Sequence, residues 1–392
     1  MTSAVQIKTK NGTTGDTRRI KGKRRLVNIT VAGIMGLMIG ASLGASAQAQ
    51  AASSPGTHAH EAKVMIVTMF GLEAKVWLDH LGPWDAIRVP GLSADYPDVH
   101  CNRQSVCVMT TDMGHANAAA SVMALTLSNQ FDLRQTYFVI TGIAGIDPMQ
   151  GTLGSAAWAK YLVDFGAQWE IDSREKPREW SSGFVAVGGK SPDELPQMVN
   201  HTELFELNPK LADVAFSLSK DVSLADSPEA QATRAKYTYA PANKPPKVLQ
   251  CDTLSDDTWW AGNLIGDRAR AWTKQLTHGQ GTFCTSQEED NATYVALKRA
   301  ADAGRVDLSR VTVLRAGSDF DRPYQGQSAS DSLFSFESAG GIAPAVENLY
   351  RAGLPLITNI SEYWQEWRGG VPAHLNSSSK EETHWGSKSN KE

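Results

Sequence analysis

The sequence predicts an α/β fold: a single large α/β/α domain on a mixed, mostly parallel sheet, with a cap region inserted in its second half. Three observations predict it. The 392 residues suffice for one large domain, at about 100 to 200 residues per domain. Hydrophobic residues at 41% and charged residues at 20% are ordinary globular composition, which excludes a disordered, collagenous or multi-span membrane chain. β-Branched apolar runs alternate with helix-period runs, the pattern of strands joined by crossover helices.

The elements follow in order. Residues 63–69 (KVMIVTM) read as a strand and 72–81 as a helix. Residues 106–111 repeat the strand pattern, Gly114 breaks it, and the good helix formers of 116–127 make a second βα unit. Residues 136–141 form a third strand that ends at Gly142-Ile143-Ala144-Gly145, and 158–165 begin another. From about 183 to 248 the chain turns rich in Pro, Lys, Asp and Ser, which reads as an insertion or cap over the sheet. Helical signals return at 258–276 and 289–301; 309–315 are a strand running into Ala316-Gly317-Ser318-Asp319; a helix at 342–350 and an aromatic segment at 363–367 close the domain. The domain spans 50–375, and the polar tail 376–392 reads as disordered. Ligand sites of such sheets lie outside the carboxyl ends of the strands, which directs attention to 69–73, 111–117, 141–147 and the end of the last strand.

The N-terminus reads as an address. Eight basic residues stand within the first 25, an apolar stretch at 31–41 follows, and small residues run through Ala45-Ser46-Ala47-Gln48-Ala49, together a secretory signal over 1–49. An uncleaved membrane anchor is the rival reading. The rest of the chain holds 30 of the 38 basic and 41 of the 42 acidic residues, a balance that repels phosphate backbones and argues against nucleic-acid binding. No other segment is apolar for long enough to span a bilayer as a helix.

Four cysteines would meet an oxidising compartment on export. Cys101 and Cys107 bracket a polar turn and could close a small loop, with Cys251 and Cys284 as a second bridge; four separate thiols are the alternative. No metal site is expected, since no C-x-x-C or H-E-x-x-H spacing occurs.

Glu73, on the first helical turn beyond a strand, can face a ligand or merely favour the helix dipole. Met113, Gly114, Asn117, Thr141, Ala144 and Gly145 lie at the ends of the second and third strands and are candidates for ligand contact. Glu288 and Glu289 can cap a helix or accept hydrogen bonds from vicinal hydroxyls. Asp319 can act as a general acid where burial raises its pKa, whereas Asp321 stands beside Arg322 and can simply pair. Neither G-x-G-x-x-G nor G-x-x-x-x-G-K occurs at these glycines, which removes support for dinucleotide and P-loop readings.

The segments KVMIVTMFGLEAKVW, TTDMGHANAAAS, VITGIAGIDPMQGTLGSAAWAKY, TFCTSQEEDNA and VLRAGSDFDRP together resemble the purine nucleoside permease family, and through it the nucleoside phosphorylase and nucleosidase superfamily. The resemblance implies a nucleoside phosphorylase-like fold with a purine nucleoside as ligand and no cofactor. It implies that Glu289 holds ribose hydroxyls, although Glu288 replaces the methionine of that motif. By the same resemblance Asp319 meets N7 of the departing purine, Ala144 and Gly145 line the base pocket, and Glu73 positions water. The absence of an arginine in the Glu73 loop favours water over phosphate as nucleophile, with phosphorolysis and binding without turnover as the alternatives. Relatives of the superfamily often assemble, which makes a homo-oligomer one expectation, with the region 183–248 blocking or replacing such interfaces as the alternative.

Overall fold

The structure, a computed structural model, describes residues 59–197 and 200–375. The stretch read as an export signal or anchor and the polar tail from 376 lie outside them.

The first part of the chain supplies β1 (Val64–Thr68), α1 (Gly71–Leu81), β2 (Trp84–Arg88), β3 (Asp98–Asn102), β4 (Val106–Thr110) and α2 (His115–Leu127). Then come β5 (Tyr137–Ile146), β6 (Ala156–Trp158), β7 (Tyr161–Asp164), β8 (Leu204–Glu206), α3 (Pro209–Ser219), α4 (Pro228–Arg234), β9 (Val248–Gln250) and β10 (Asp252–Ser255). Finally α5 (Asn263–Leu276), β11 (Phe283–Gln287), α6 (Asp290–Asp302), β12 (Val311–Phe320), α7 (Ala329–Phe334) and α8 (Ile342–Glu362) complete the domain.

The twelve strands form one mixed sheet in the order β8-β7-β10-β11-β5-β1-β4-β3-β2, with β12 on β5 and β6, and β9 on β6. Pairing is parallel from β4 through β1 and β5 to β12, and antiparallel in the β2-β3-β4 corner. β1 shows why helices cover both faces. Met65 and Val67 pack with Val122 and Leu125 of α2 and Leu297 of α6, while Val64 and Ile66 pack with Trp77 of α1, Leu211 of α3 and Leu349 of α8. A strand buried on both faces must be apolar or have its polar groups satisfied, and this one is apolar from Val64 to Val67 and ends in Thr68, whose hydroxyl donates to the Met109 carbonyl. Each such side chain contributes roughly 1.5–3 kcal/mol on burial.

Several boundaries differ from the sequence reading. Gly142 and Gly145 do not end the third strand, since β5 continues through them to Ile146. Its first half lies between β1 and β12; its second half leaves β1 and takes β11 as an antiparallel neighbour, with Gly145 opposite both Ser286 and Asp319. The last strand likewise extends through Asp319, with a register shift between Gly317 and Asp319. The strand read over 158–165 is two, because the Asp252 carboxylate accepts hydrogen bonds from the N–H groups of Lys160 and Tyr161 at the break. The helix read from 258 starts at Asn263, after Gly262 at φ +152°.

Within 183–248, α3 packs Leu211, Val214 and Ala215 into the core beside α8. Cys101 and Cys107 are opposite one another in the β3–β4 hairpin and form a disulfide, and Cys251 forms a second with Cys284. No helix among the described residues is long and apolar enough to cross a membrane.

Candidate functional site

The splay of β5 away from β1 opens a cavity of about 410 Å³ at the carboxyl ends of β1, β5, β10, β11 and β12. Each end supplies part of the wall: Met69 to Glu73 after β1, Ile143 to Gly145 on β5, Asp256 after β10, Ser286 to Glu289 on and after β11, and Ser318 and Asp319 on β12. Trp259, Trp260, Phe336 and Glu337 line the cavity as well. Among the described residues none of 183–248 lines it, and the apolar helix face of that segment packs into the core.

Glu73 is 1% exposed, held by the first turn of α1 over the end of β1. One carboxylate oxygen accepts from Met69 N–H at 2.7 Å and the other from Ile143 N–H at 2.7 Å. Burial pushes its pKa up to about 7 against the opposing pull of Arg315. Arg315, on β12, is fully buried, which works against its charge, yet Asp290 and Glu289 keep it firmly protonated. Its guanidinium donates to Asp290 Oδ1 at 2.6 Å, Glu289 Oε2 at 3.2 Å and the Ile143 carbonyl at 3.2 Å. The sequence signal for it is an arginine inside an apolar strand, which demands buried acids, and Asp290 directly follows Glu288 and Glu289 in the chain.

Glu289 precedes α6, is 4% exposed, and takes Gly114 N–H on its other oxygen at 3.1 Å. Gly114 itself sits at φ +88°, a conformation that favours glycine, and so presents its N–H to Glu289 rather than lining the cavity. Half-buried Glu288 faces the cavity with its pKa pushed up to about 7, first by burial and then by the charge of Glu289. Asp319 is 7% exposed and bonded by the Ser318 hydroxyl at 2.8 Å; burial raises its pKa to about 6. A Cβ at Gly145 would stand 2.8 Å from Ser286 Oγ and 3.6 Å from Asp319 Oδ2, so glycine keeps this corner of the cavity open.

The fold thus brings Glu73, Glu288, Glu289, Asp319, Ala144, Gly145 and Met113 to one cavity. Thr141 and Asn117 do not line it. Thr141 is buried beneath the site, accepting a hydrogen bond from Trp77 Nε1, because β5 runs on past it. Asn117 is exposed on α2 and bonds back to the Met113 carbonyl. Asp321 does pair with Arg322, at 2.8 Å. Among the described residues no group of three or more His, Cys, Asp or Glu is placed to hold a metal ion.

Fold and site together define an α/β protein with a ligand cavity at its strand ends, walled by carboxylates and aromatic rings. The chain belongs to the purine nucleoside permease family, whose family model matches residues 61–372. It is 42% identical over 320 residues to a probable purine nucleoside permease of Schizosaccharomyces pombe, covering 78% of this chain and 90% of that one. It is 38% identical over 312 residues to a purine nucleoside permease of Candida albicans, covering 78% and 77%. Among solved structures it is similar to futalosine hydrolase of Helicobacter pylori, at 12% identity and a TM-score of 0.48, covering 76% of this chain and 98% of that one. It is similar also to the 5′-methylthioadenosine/S-adenosylhomocysteine nucleosidase of Neisseria meningitidis, at 12% identity and a TM-score of 0.46, covering 75% and 98%.

Proposed function

We propose that the cavity binds a purine nucleoside and cleaves its N-glycosidic bond with water. The observation that carries this reading is the pair of buried carboxyls on the cavity wall, Glu73 and Asp319, each with a pKa raised toward neutrality. Asp319 donates a proton to N7 of the base as the bond from C1′ to N9 breaks and its electron pair passes to the purine. Water adds its oxygen to the oxocarbenium-like C1′ and gives a proton to ionised Glu73, so the products are free base and ribose. Glu288 and Glu289 accept the sugar hydroxyls. Phosphate is disfavoured as nucleophile because Arg315, the one cation in the wall among the described residues, is already matched by Asp290 and Glu289.

In this reading the protein serves nucleoside uptake by releasing the base outside the inner membrane. The signal-like N-terminus and the two disulfides support a periplasmic or secreted location. The second reading, a nucleoside-binding component without turnover, is favoured by the names of the relatives. Chromatography of inosine and adenosine incubated with the purified protein, with and without phosphate, separates the two. Base plus ribose in both conditions supports hydrolysis, and base formed only with phosphate overturns it in favour of phosphorolysis. Binding by calorimetry with no product leaves the binding component.

A further inference from the structure

Residues at the N-terminal ends of three helices, α1, α2 and α6, line the cavity, and the free N–H groups of such an end are a ready seat for phosphate. Here each end is already occupied by the protein itself. At α1, Glu73 accepts from Met69 N–H, and the Tyr96 hydroxyl accepts from Gly71 N–H at 3.1 Å. At α6, the Gln287 side-chain oxygen accepts from Glu289 N–H at 2.7 Å and Asp290 N–H at 2.8 Å, and Ser255 Oγ accepts from Asn291 N–H at 3.1 Å. At α2, Glu289 holds Gly114 N–H, and Asp257 Oδ1 accepts from His115 N–H at 2.7 Å. The His115 ring turns Nδ1 to the same carboxylate, 3.1 Å away. Charge acts in the same direction. Glu73, Asp256, Glu288, Glu289, Asp319 and Glu337 line the cavity against Arg315 alone among the described residues, and Arg315 is matched by Asp290 and Glu289.

The nucleoside reading above, on which this inference rests, places the base at Asp319 and the sugar hydroxyls at Glu289. Because Glu289 also holds Gly114, the sugar lies beside the start of α2, and its 5′ end points there, away from Asp319. A phosphate on that end would meet the Asp257 carboxylate where it needs free N–H groups, and like charges repel. We propose that the cavity admits only unphosphorylated nucleosides, with Asp257 the residue that denies a 5′-phosphate its seat. A nucleotide must therefore lose its phosphate before this protein can use it. The reaction class that supplies the ligand is phosphomonoester hydrolysis: water adds to phosphorus, the 5′ oxygen leaves with a proton, and nucleoside and inorganic phosphate result.

Calorimetry with formycin B, the carbon-linked isostere of inosine that hydrolysis cannot cleave, tests the assignment against its 5′-monophosphate and its uncharged 5′-acetate. The monophosphate is expected to bind about a hundredfold more weakly than formycin B, the scale of one like-charge contact, and the acetate nearly as well. Asp257→Asn keeps an oxygen for His115 N–H and removes the charge, so it should narrow the gap severalfold without changing the affinity for formycin B. Melting curves check that the variant folds. Raised salt should narrow the wild-type gap too, because Asp257 is exposed. A monophosphate that binds as well as formycin B, an acetate rejected as strongly as the monophosphate, or a gap that Asp257→Asn leaves intact overturns the inference while the nucleoside reading stands. If neither formycin B nor inosine binds, the nucleoside reading itself fails and the inference with it.

Discussion

Glu73 and Arg315 take hold of the two polar groups of a single residue. The Ile143 N–H donates to Glu73 Oε1 at 2.7 Å, and the Ile143 carbonyl accepts from Arg315 Nη1 at 3.2 Å. The backbone of β5 is thereby pinned where it leaves β1, and the cavity keeps its shape.

Arg315→Met should be among the most damaging single changes in the protein. It strands Asp290 and Glu289, both buried, without their cation, and removing one partner of a buried pair costs about 3–5 kcal/mol. Chemical denaturation should show a loss of that size; a loss under about 1 kcal/mol would mean the network does not hold the site.

Gly142→Ala tests the same corner from the backbone. A Cβ there would lie 2.3 Å from Arg315 Nη1 and 2.9 Å from Glu73 Oε1. The guanidinium cannot swing aside without breaking its carboxylate bonds, so the cost should exceed that of ordinary overpacking, about 1–3 kcal/mol, and turnover should fall with it. Unchanged stability and unchanged turnover would show that the pocket relaxes.

The pH dependence of kcat/KM on a cleaved nucleoside should be bell-shaped. Asp319 must be protonated, which fails above about 6, and Glu73 must be ionised, which fails below about 7. The optimum therefore falls between about 6 and 7, and rates measured from pH 4.5 to 9 check it. A plateau reaching to pH 9 removes Asp319 from the acid role.

Asp319→Asn should still bind nucleoside while losing roughly 10²–10⁴ of the rate, the usual share of a general acid. It should also change stability in a pH-dependent way. The folded-state pKa of about 6 lies above the ordinary 3.8, so the wild-type contribution is intact below about 4 and is lost as the pH rises through about 6. Asparagine does not titrate. The variant should gain on the wild type by roughly 2–3 kcal/mol between pH 4 and pH 8, at 1.36 kcal/mol per pKa unit. Melting curves at the two pH values show it, and a constant offset between the proteins would argue that Asp319 is solvated.

Much of the architecture was legible in the chain. β-Branched apolar runs such as VMIVT announced strands, Glu73 and Asp319 stood out because each follows a strand, and Glu289 because it begins a helix. The glycines of β5 misled, since a missing side chain reads as a break in periodicity. Here it marks a crowded approach, with Arg315 and Glu73 packed against Gly142 and Ser286 against Gly145. Trp259 and Phe336 carried no signal of contact, yet their rings lie 4.5 Å apart on the cavity wall.

By itself the sequence determined the leading βα units, the last long strand, the helix-covered sheet they imply and the acids available near strand ends, because these follow from periodicities within a few residues. Only the tertiary structure decided that Glu73, Glu289 and Arg315 share one corner and that Thr141 and Asn117 stand outside it. The reason is physical: Glu73 stands 216 positions from Glu289 and 242 from Arg315 along the chain. They are set by the register of β5 between β1, β11 and β12, which local patterning does not encode.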